Sequence, residues 1–176
     1  MALLEILTYP NPQLAQKSTP VEEVNDEIRQ LVSDMIETMY EADGVGLAAP
    51  QIGVLKRIIV LDCSARFDEE GNEISERDPY AIINPVLTRK EGKIMWEEGC
   101  LSVPEYTEEV ERAAEVTVQG LNPAGEEIEF DADGLFAVCL QHEIDHLDGI
   151  LFVDRLSRLK GSMIKKKLKK RAREED

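Results

Sequence analysis

The chain is short of histidine, cysteine, aromatic residues and long apolar runs, and each shortage excludes something. Its 176 residues include two histidines, three cysteines, one tryptophan, four tyrosines and four phenylalanines. No apolar run approaches the roughly 18 residues that a membrane helix needs, so no membrane association is expected. The start, Met1-Ala2-Leu3-Leu4-Glu5, lacks the basic opening and apolar stretch of a secretory signal and the arginines of a transit peptide. Three cysteines, an odd number without paired spacing, argue against a disulfide framework and suit a reducing cytoplasm. Basic residues number 20 against 36 acidic ones, a net charge of −16, which favours solubility and argues against DNA as a partner. The length suits one domain able to bury its own core, and a monomer is expected. No internal repeat interrupts it.

The scarcity of histidine makes its placement informative. His142 and His146 both fall in Gln141-His142-Glu143-Ile144-Asp145-His146, an H-E-x-x-H pattern. On a helix, a spacing of four puts both imidazoles on one face, one turn apart. Two neutral imidazoles can chelate a divalent metal, and Glu143 between them can act as a base on activated water. The plainer reading is a polar helix end that happens to hold two histidines. Two features favour the metal: no histidine is used elsewhere, and the apolar run Leu135 to Leu140 leads straight into the motif, followed by Ile144 and Leu147. Asp133 can cap this helix and Gly149 can end it. A helix so apolar belongs in a protein centre, where two imidazoles and a carboxylate are costly unless they have partners. A metal supplies them.

A third ligand is then needed. A histidine six residues past His146 is excluded, because position 152 is Phe. The acidic residues downstream, Asp148, Asp154, Glu174, Glu175 and Asp176, fall in no buried helix pattern. Cysteine is the remaining option. Cys139 lies too close along the helix to complete a tetrahedron and reads as a small buried hydrophobe. Cys63 ends an apolar run, 58–61. Cys100 sits in Glu97-Glu98-Gly99-Cys100-Leu101-Ser102-Val103-Pro104, an extended segment that can bring a thiolate and backbone N–H groups to a metal. Cys100 is therefore the expected ligand, with the other two as alternatives. A further segment, Gly44-Val45-Gly46-Leu47-Ala48-Ala49-Pro50-Gln51-Ile52-Gly53, describes a loop that passes close to something, or an ordinary helix-to-strand connection. Its polar residue, Gln51, could donate to a developing oxyanion.

Gly46-Leu47-Ala48-Ala49-Pro50-Gln51, Glu98-Gly99-Cys100-Leu101-Ser102 and the H-E-x-x-H run together resemble the three signature motifs of peptide deformylases, in the family's order and at its usual separations. The resemblance covers nearly the whole chain, from the Ile6-Leu7 region to about Leu159. It departs at an acidic stretch, 64–78, longer than in many members, and at Thr107, where some bacterial members carry an arginine. The resemblance implies Cys100, His142 and His146 as ligands of one divalent ion. Ferrous iron is implied in the cell, with Zn2+, Ni2+ or Co2+ as other ions; by ligand type alone the set suits zinc. It implies Glu143 as general base and acid towards metal-activated water. Gln51 and the Leu101 backbone N–H are the oxyanion donors. The implied substrate is an N-formylmethionyl nascent peptide, which releases formate. Val45, Trp96, Leu135, Val138 and Cys139 could line its methionine slot, with Gly46, Glu98 and Gly99 at the same substrate edge. A zinc endopeptidase and a non-catalytic binder are the competing classes; the first needs a two-sided cleft, and the second has no use for Glu143, Gln51 and Cys100 together.

The coarse element reading is an amphipathic helix over 21–41, strands over 57–62, 80–84, 86–96, 114–120 and 126–131, the metal helix, and a helix over 156–172. The turn Asn122-Pro123-Ala124-Gly125 makes the last two strands a hairpin. The expected class is α+β: mixed or antiparallel sheets wrapped around a central buried helix that carries H-E-x-x-H, with an N-terminal amphipathic helix and a C-terminal basic helix. Residues 1–160 are expected to form the metal-dependent domain and 161–176 a basic helical extension. Residues 1–154 carry 10 basic and 33 acidic side chains, whereas 155–176 carry 10 and 3, a net of +7. The run Lys165 to Arg171 is either a solvated helix end favoured by the helix dipole or a contact for ribosomal RNA. The resemblance implies the second.

Overall fold

Capping chemistry, more than periodicity, decides where the first helix begins. The computed structural model describes residues 3–63, 66–67, 70, 73–74 and 78–174, with the backbone alone for 66–67 and 73–74. Helix α1 spans Asp26–Glu41, so the expected start at 21 is five residues early. The Asn25 side chain accepts the Ile28 N–H at 3.0 Å, supplying a helix cap. Val21 is held outside the helix by Asn84, which accepts the Val21 N–H at 2.8 Å and donates to its carbonyl at 2.9 Å. Ile28, Val32, Met35 and Met39 are buried at the predicted helical spacing.

The strands are β1 (Gly46–Ala48), β2 (Ile58–Leu61), β3 (Arg66–Phe67), β4 (Glu73–Ile74), β5 (Tyr80–Glu91), β6 (Ile94–Cys100), β7 (Val103–Arg112), β8 (Glu115–Leu121) and β9 (Glu127–Asp133). A five-stranded sheet runs β1-β2-β5-β8-β9, and β3-β4 and β6-β7 form separate pairs. Every pairing between these strands is antiparallel. Most of the acidic stretch 64–78 lies outside the described residues.

Two differences from the expected strands matter. The segments 80–84 and 86–96 are not two strands: β5 runs through 80–91 with a register shift between Ile83 and Val86, around Pro85. A bulge absorbs the missing proline N–H, and the chain then turns at Gly92 (φ +70°) into β6. Strand β7 has no counterpart in the sequence reading. After the buried Val103, its less exposed positions, 104, 106, 108, 110 and 112, hold Pro, Tyr, Glu, Val and Arg, so apolar alternation is nearly invisible. The β8–β9 hairpin is as expected to within two residues. Its turn is held by the Asn122 side chain, which accepts from the Ala124 and Glu126 N–H groups at 3.0 Å each.

Helix α2 spans Gly134–Leu147, and every residue from Ala137 to Leu147 is buried. Asp133 occupies the cap position, but its side chain makes no capping bond. Beyond the helix, Gly149 (φ +75°) lies against the 15–16 backbone, where a Cβ would sit 2.5 Å from the Ala15 carbonyl oxygen. Strand β2 has both faces covered. Ile59 and Leu61 pack with α2 residues Ala137, Leu140 and Ile144, whereas Ile58 and Val60 pack with α1 residues Val32, Met35 and Met39. Each such aliphatic side chain contributes about 1.5–3 kcal/mol by leaving water. Helix α3 spans Arg158–Glu174, starting and ending two residues later than expected. Its Ile164 and Leu168 join Val103, Val110, Leu151, Phe152 and Val153 in a third cluster. The architecture is α+β, with three helices and antiparallel sheets. Among the described residues, no helix is long and apolar enough to cross a membrane.

Candidate metal centre

The spacing of His142 and His146 on α2 brings their ring centroids to 5.0 Å. The end of β6 brings a sulfur to the same place. Ligand atoms of Cys100, His142 and His146 all lie within 4.8 Å of one another, with Cys100 Sγ 3.3 Å from His146 Nε2. Cys63 and Cys139 are not in this cluster. One thiolate and two imidazoles form a donor set suited to a divalent transition metal, with room for a fourth ligand.

The donors are held from behind. Glu98, two residues before Cys100, accepts from His142 Nδ1 at 2.8 Å, which leaves Nε2 for the cluster. Both Glu98 oxygens also accept from Arg112, at 2.7 and 2.8 Å. Arg112 in turn donates to Asp145 on α2 at 2.6 Å, and Arg155 closes the network on Asp145 at 2.8 and 3.1 Å. Arg112, Glu98 and Asp145 are buried. Unpaired, each would cost several kcal/mol; together they bolt β6, β7 and α2 into one unit. Sequence reading missed Arg112, Asp145 and Arg155 in this role. A signal was there: Arg112 is the sole basic residue in the acid-rich stretch 97–115, and Asp145 lies inside the H-E-x-x-H run.

Gln51 sits in the short helical turn Ala49–Ile52 that follows β1. Its Oε1 accepts the Ala48 N–H at 2.9 Å, which fixes the amide orientation. Its NH2 therefore donates, to Ser102 Oγ at 3.1 Å and towards Cys100 Sγ at 3.6 Å. Residues 7–9 stitch these two segments together. The Leu7 N–H donates to the Gln51 carbonyl at 2.6 Å, Ser102 Oγ donates to the Leu7 carbonyl at 2.6 Å, and the Tyr9 N–H donates to the Ser102 carbonyl at 2.8 Å. Gly46 passes so close to α2 that a Cβ there would run into the Glu143 carboxylate.

Electrostatics separate the two motif carboxylates. Burial raises the Glu98 pKa, but the bonds from Arg112 and His142 outweigh it and hold the group below the usual carboxylate range. Burial pushes Glu143 up to about 7, opposed by His142 and assisted by the neighbouring Glu98 charge. Its Oε1 has no hydrogen-bond partner among the described residues. Burial also opposes charge on both imidazoles. At His142 the acceptors Cys100 and Glu98 win and favour the proton; at His146 burial and the nearby His142 win and disfavour it. His146 Nδ1, like Glu143 Oε1, is buried without a hydrogen-bond partner among the described residues.

A pocket of about 580 Å³ opens over this cluster. All the sequence-predicted site residues except His146 line it, Val45 and Trp96 among them. Val45 is 44% exposed at the mouth, whereas Cys139 and Val138 on α2 are buried in the wall. Thr107 is at the rim, donating to Glu97 at 2.9 Å. Glu98 lines the pocket too, with both oxygens already engaged by Arg112 and His142.

Comparisons with known proteins agree with one another. The sequence model of the polypeptide deformylase family matches residues 3–162. The peptide deformylase of Phenylobacterium zucineum is 54% identical over 174 residues, covering 98% of this chain and 99% of that protein. That of Neisseria gonorrhoeae is 52% identical over 171 residues, 97% of each chain. Among solved structures, the peptide deformylase of Ehrlichia chaffeensis in complex with actinonin superposes with a TM-score of 0.87 at 44% identity, covering 97% of this chain and 98% of that one. The Legionella pneumophila enzyme gives 0.85 at 44% identity, covering 99% and 98%. With a matching family model, half-identical relatives over its whole length and the same fold, the chain belongs to the peptide deformylase family of enzymes.

Proposed function

We propose that the protein hydrolyses the formyl amide of an N-terminal N-formylmethionine on newly made polypeptides, releasing formate and a free amine. The observation that carries this reading is Glu143: a buried carboxylate with pKa near 7 and one oxygen unpartnered among the described residues, lining a pocket beside three convergent ligand atoms.

The donor set fits a divalent ion. Cys100 Sγ and the two imidazoles would hold it, with Glu98 orienting His142. An ion held there would polarise the formyl oxygen and acidify a water molecule at neutral pH. Glu143 accepts that water's proton as its oxygen adds to the formyl carbon, and returns the proton to the nitrogen as the C–N bond breaks. A carboxyl group poised near pH 7 suits both transfers. The Gln51 amide N–H and the Leu101 backbone N–H donate to the oxygen that gains charge; one such donor is worth about 3 kcal/mol. Val45, Trp96, Leu135, Val138 and Cys139 receive the methionine side chain. Gly46 and Gly99 carry no side chain to keep the peptide backbone away. Ferrous iron is the proposed ion in the cell, with Zn2+, Ni2+ or Co2+ able to occupy the same ligands.

Residues 1–160 are proposed as the catalytic unit of a cytoplasmic monomer, and 161–176 as a basic extension that touches ribosomal RNA. The test pairs elemental analysis of protein purified without oxygen with turnover of formyl-Met-Ala and of an internally quenched peptide lacking a formyl group. Formate release from the first with no cleavage of the second is expected. Cleavage of the internal peptide would replace this reading with an endopeptidase.

A further inference from the structure

Ser102 lies in the turn between β6 and β7, fully buried, and is not part of the pocket wall. Its hydroxyl has one hydrogen, and that hydrogen is committed. Oγ lies 2.6 Å from the Leu7 carbonyl, and a carbonyl oxygen can only accept. Towards Gln51 the same hydroxyl oxygen must then accept, and Gln51 Nε2 donates to it at 3.1 Å. At the other end of the amide, Oε1 accepts the Ala48 N–H at 2.9 Å. A flipped amide would set Nε2 against the Ala48 N–H, donor to donor. It would also set Oε1 against a hydroxyl with no hydrogen left to give. Both ends therefore select one orientation. We propose that Ser102 is a positioning residue for the reaction: pinned by the Leu7 carbonyl, its hydroxyl holds one Gln51 N–H and thereby aims the other at the formyl oxygen.

This role presupposes the formyl hydrolysis proposed above, in which the Gln51 amide donates to the oxygen that gains charge. The two N–H bonds of a primary amide lie in one plane at a fixed angle, so anchoring one sets the direction of the other. With Ser102 taking the first, the second is left for the Cys100 side of the pocket, where Nε2 stands 3.6 Å from Sγ. A donor already aimed before the charge develops costs no reorganisation as the oxygen becomes negative. The backbone keeps the two side chains in register. The Leu7 N–H donates to the Gln51 carbonyl at 2.6 Å, and the Tyr9 N–H donates to the Ser102 carbonyl at 2.8 Å. One N-terminal segment thus holds both main chains and also turns the hydroxyl. Removing the hydroxyl leaves those backbone bonds and the Ala48 bond in place, so the amide stays near the site but loses its aim. Such a loss is felt in the transition state and not in the binding of the methionine side chain.

The test measures kcat and KM for formyl-Met-Ala in the unaltered protein, Ser102→Ala, Gln51→Ala and the double variant, with ion content per chain checked in each. Ser102→Ala should lower kcat about tenfold, short of the roughly 100-fold that misplacing a reacting group by about 1 Å can cost. KM should stay within about twofold, as expected when an interaction made only in the transition state is weakened. Gln51→Ala should lower kcat by about 10²–10³-fold, and in that background Ser102→Ala should cost nothing further. An equal loss from Ser102→Ala with and without Gln51 overturns the proposal, since the hydroxyl would then act through packing alone. An unchanged kcat in Ser102→Ala overturns it as well. No formate release by the unaltered protein overturns the formyl hydrolysis itself. A second measurement needs no turnover: hydrogen exchange of the Gln51 side-chain amide in isotope-labelled, zinc-loaded protein, its signals identified by their loss in Gln51→Ala. Exchange should be slow in the unaltered protein and about tenfold faster or more in Ser102→Ala. Rapid exchange in the unaltered protein, or a rate that ignores the loss of the hydroxyl, overturns the anchoring bond.

Discussion

Replacing Glu143 by alanine removes an oxygen with no hydrogen-bond partner among the described residues and leaves Cys100, His142 and His146 in place. Metal content should therefore stay near one ion per chain while formyl-Met-Ala turnover falls by about 10²–10⁴-fold. Near-normal turnover in metal-replete Glu143→Ala would remove Glu143 from the proton-transfer role. The cysteines make a sharper comparison. Cys100→Ser should lose both metal and activity, because its sulfur is the one within reach of both imidazoles. Cys139→Ser and Cys63→Ser should both keep the ion when assayed by elemental analysis; an emptied site in Cys139→Ser would mean that the wrong sulfur has been assigned. At this scale much was legible before any fold was known. H-E-x-x-H places two candidate ligands on one helix face, where the structure brings them together with Cys100, and the sparing use of histidine points to them. The orientation of Gln51 was not legible, because the Ala48 N–H that sets it is a backbone group that no residue type announces.

Strand β7 is one of the elements that sequence reading missed, and it carries the residue that joins the site to the fold. Its Arg112 spans from Glu98 on β6 to Asp145 on α2. Arg112→Met would leave Glu98 buried with His142 as its remaining partner and Asp145 dependent on the half-exposed Arg155. Removing one member of a buried ionic group costs about 3–5 kcal/mol, since the partners keep their desolvation penalty. Urea unfolding of the metal-free protein should show a loss of that size. A loss below about 1 kcal/mol would mean that water or another cation replaces the guanidinium. Elements with strong periodicity or a specific turn, such as α2 and the β8–β9 hairpin, were readable because local chemistry dictates them. Where tertiary partners decide, as with Asn84 holding Val21 out of α1, or glutamates occupying the outward positions of β7, the local pattern was misleading or silent.

For the molecule as a whole, charge is divided between an acidic body and a basic end. Helix α3 is not a free tail, however. Ile164 and Leu168 are buried, Lys165 pairs with Asp154, and Arg171 pairs with Glu105 at the pocket rim. Truncation from residue 165 would thus remove packing as well as charge, and substitution is the cleaner probe. Changing the exposed Lys166, Lys167, Lys169 and Lys170 to glutamine should leave formyl-Met-Ala turnover within about twofold, because surface changes away from a site cost little. The same change should weaken co-sedimentation with ribosomes at low salt, and binding by the unaltered protein should fall steeply as salt rises. Equal co-sedimentation of both proteins would reduce the lysines to a solvated helix face. The stitch made by residues 7–9 has a consequence in time. It clasps Gln51 and Ser102, the latter 95 positions along the chain from Leu7, while both imidazoles arrive later still on α2. Closures of that span are slow, since loop entropy must be overcome before the contacts repay it. The ligand set exists only once those closures are made, so ion binding waits on the folding of the whole chain and in turn stabilises it.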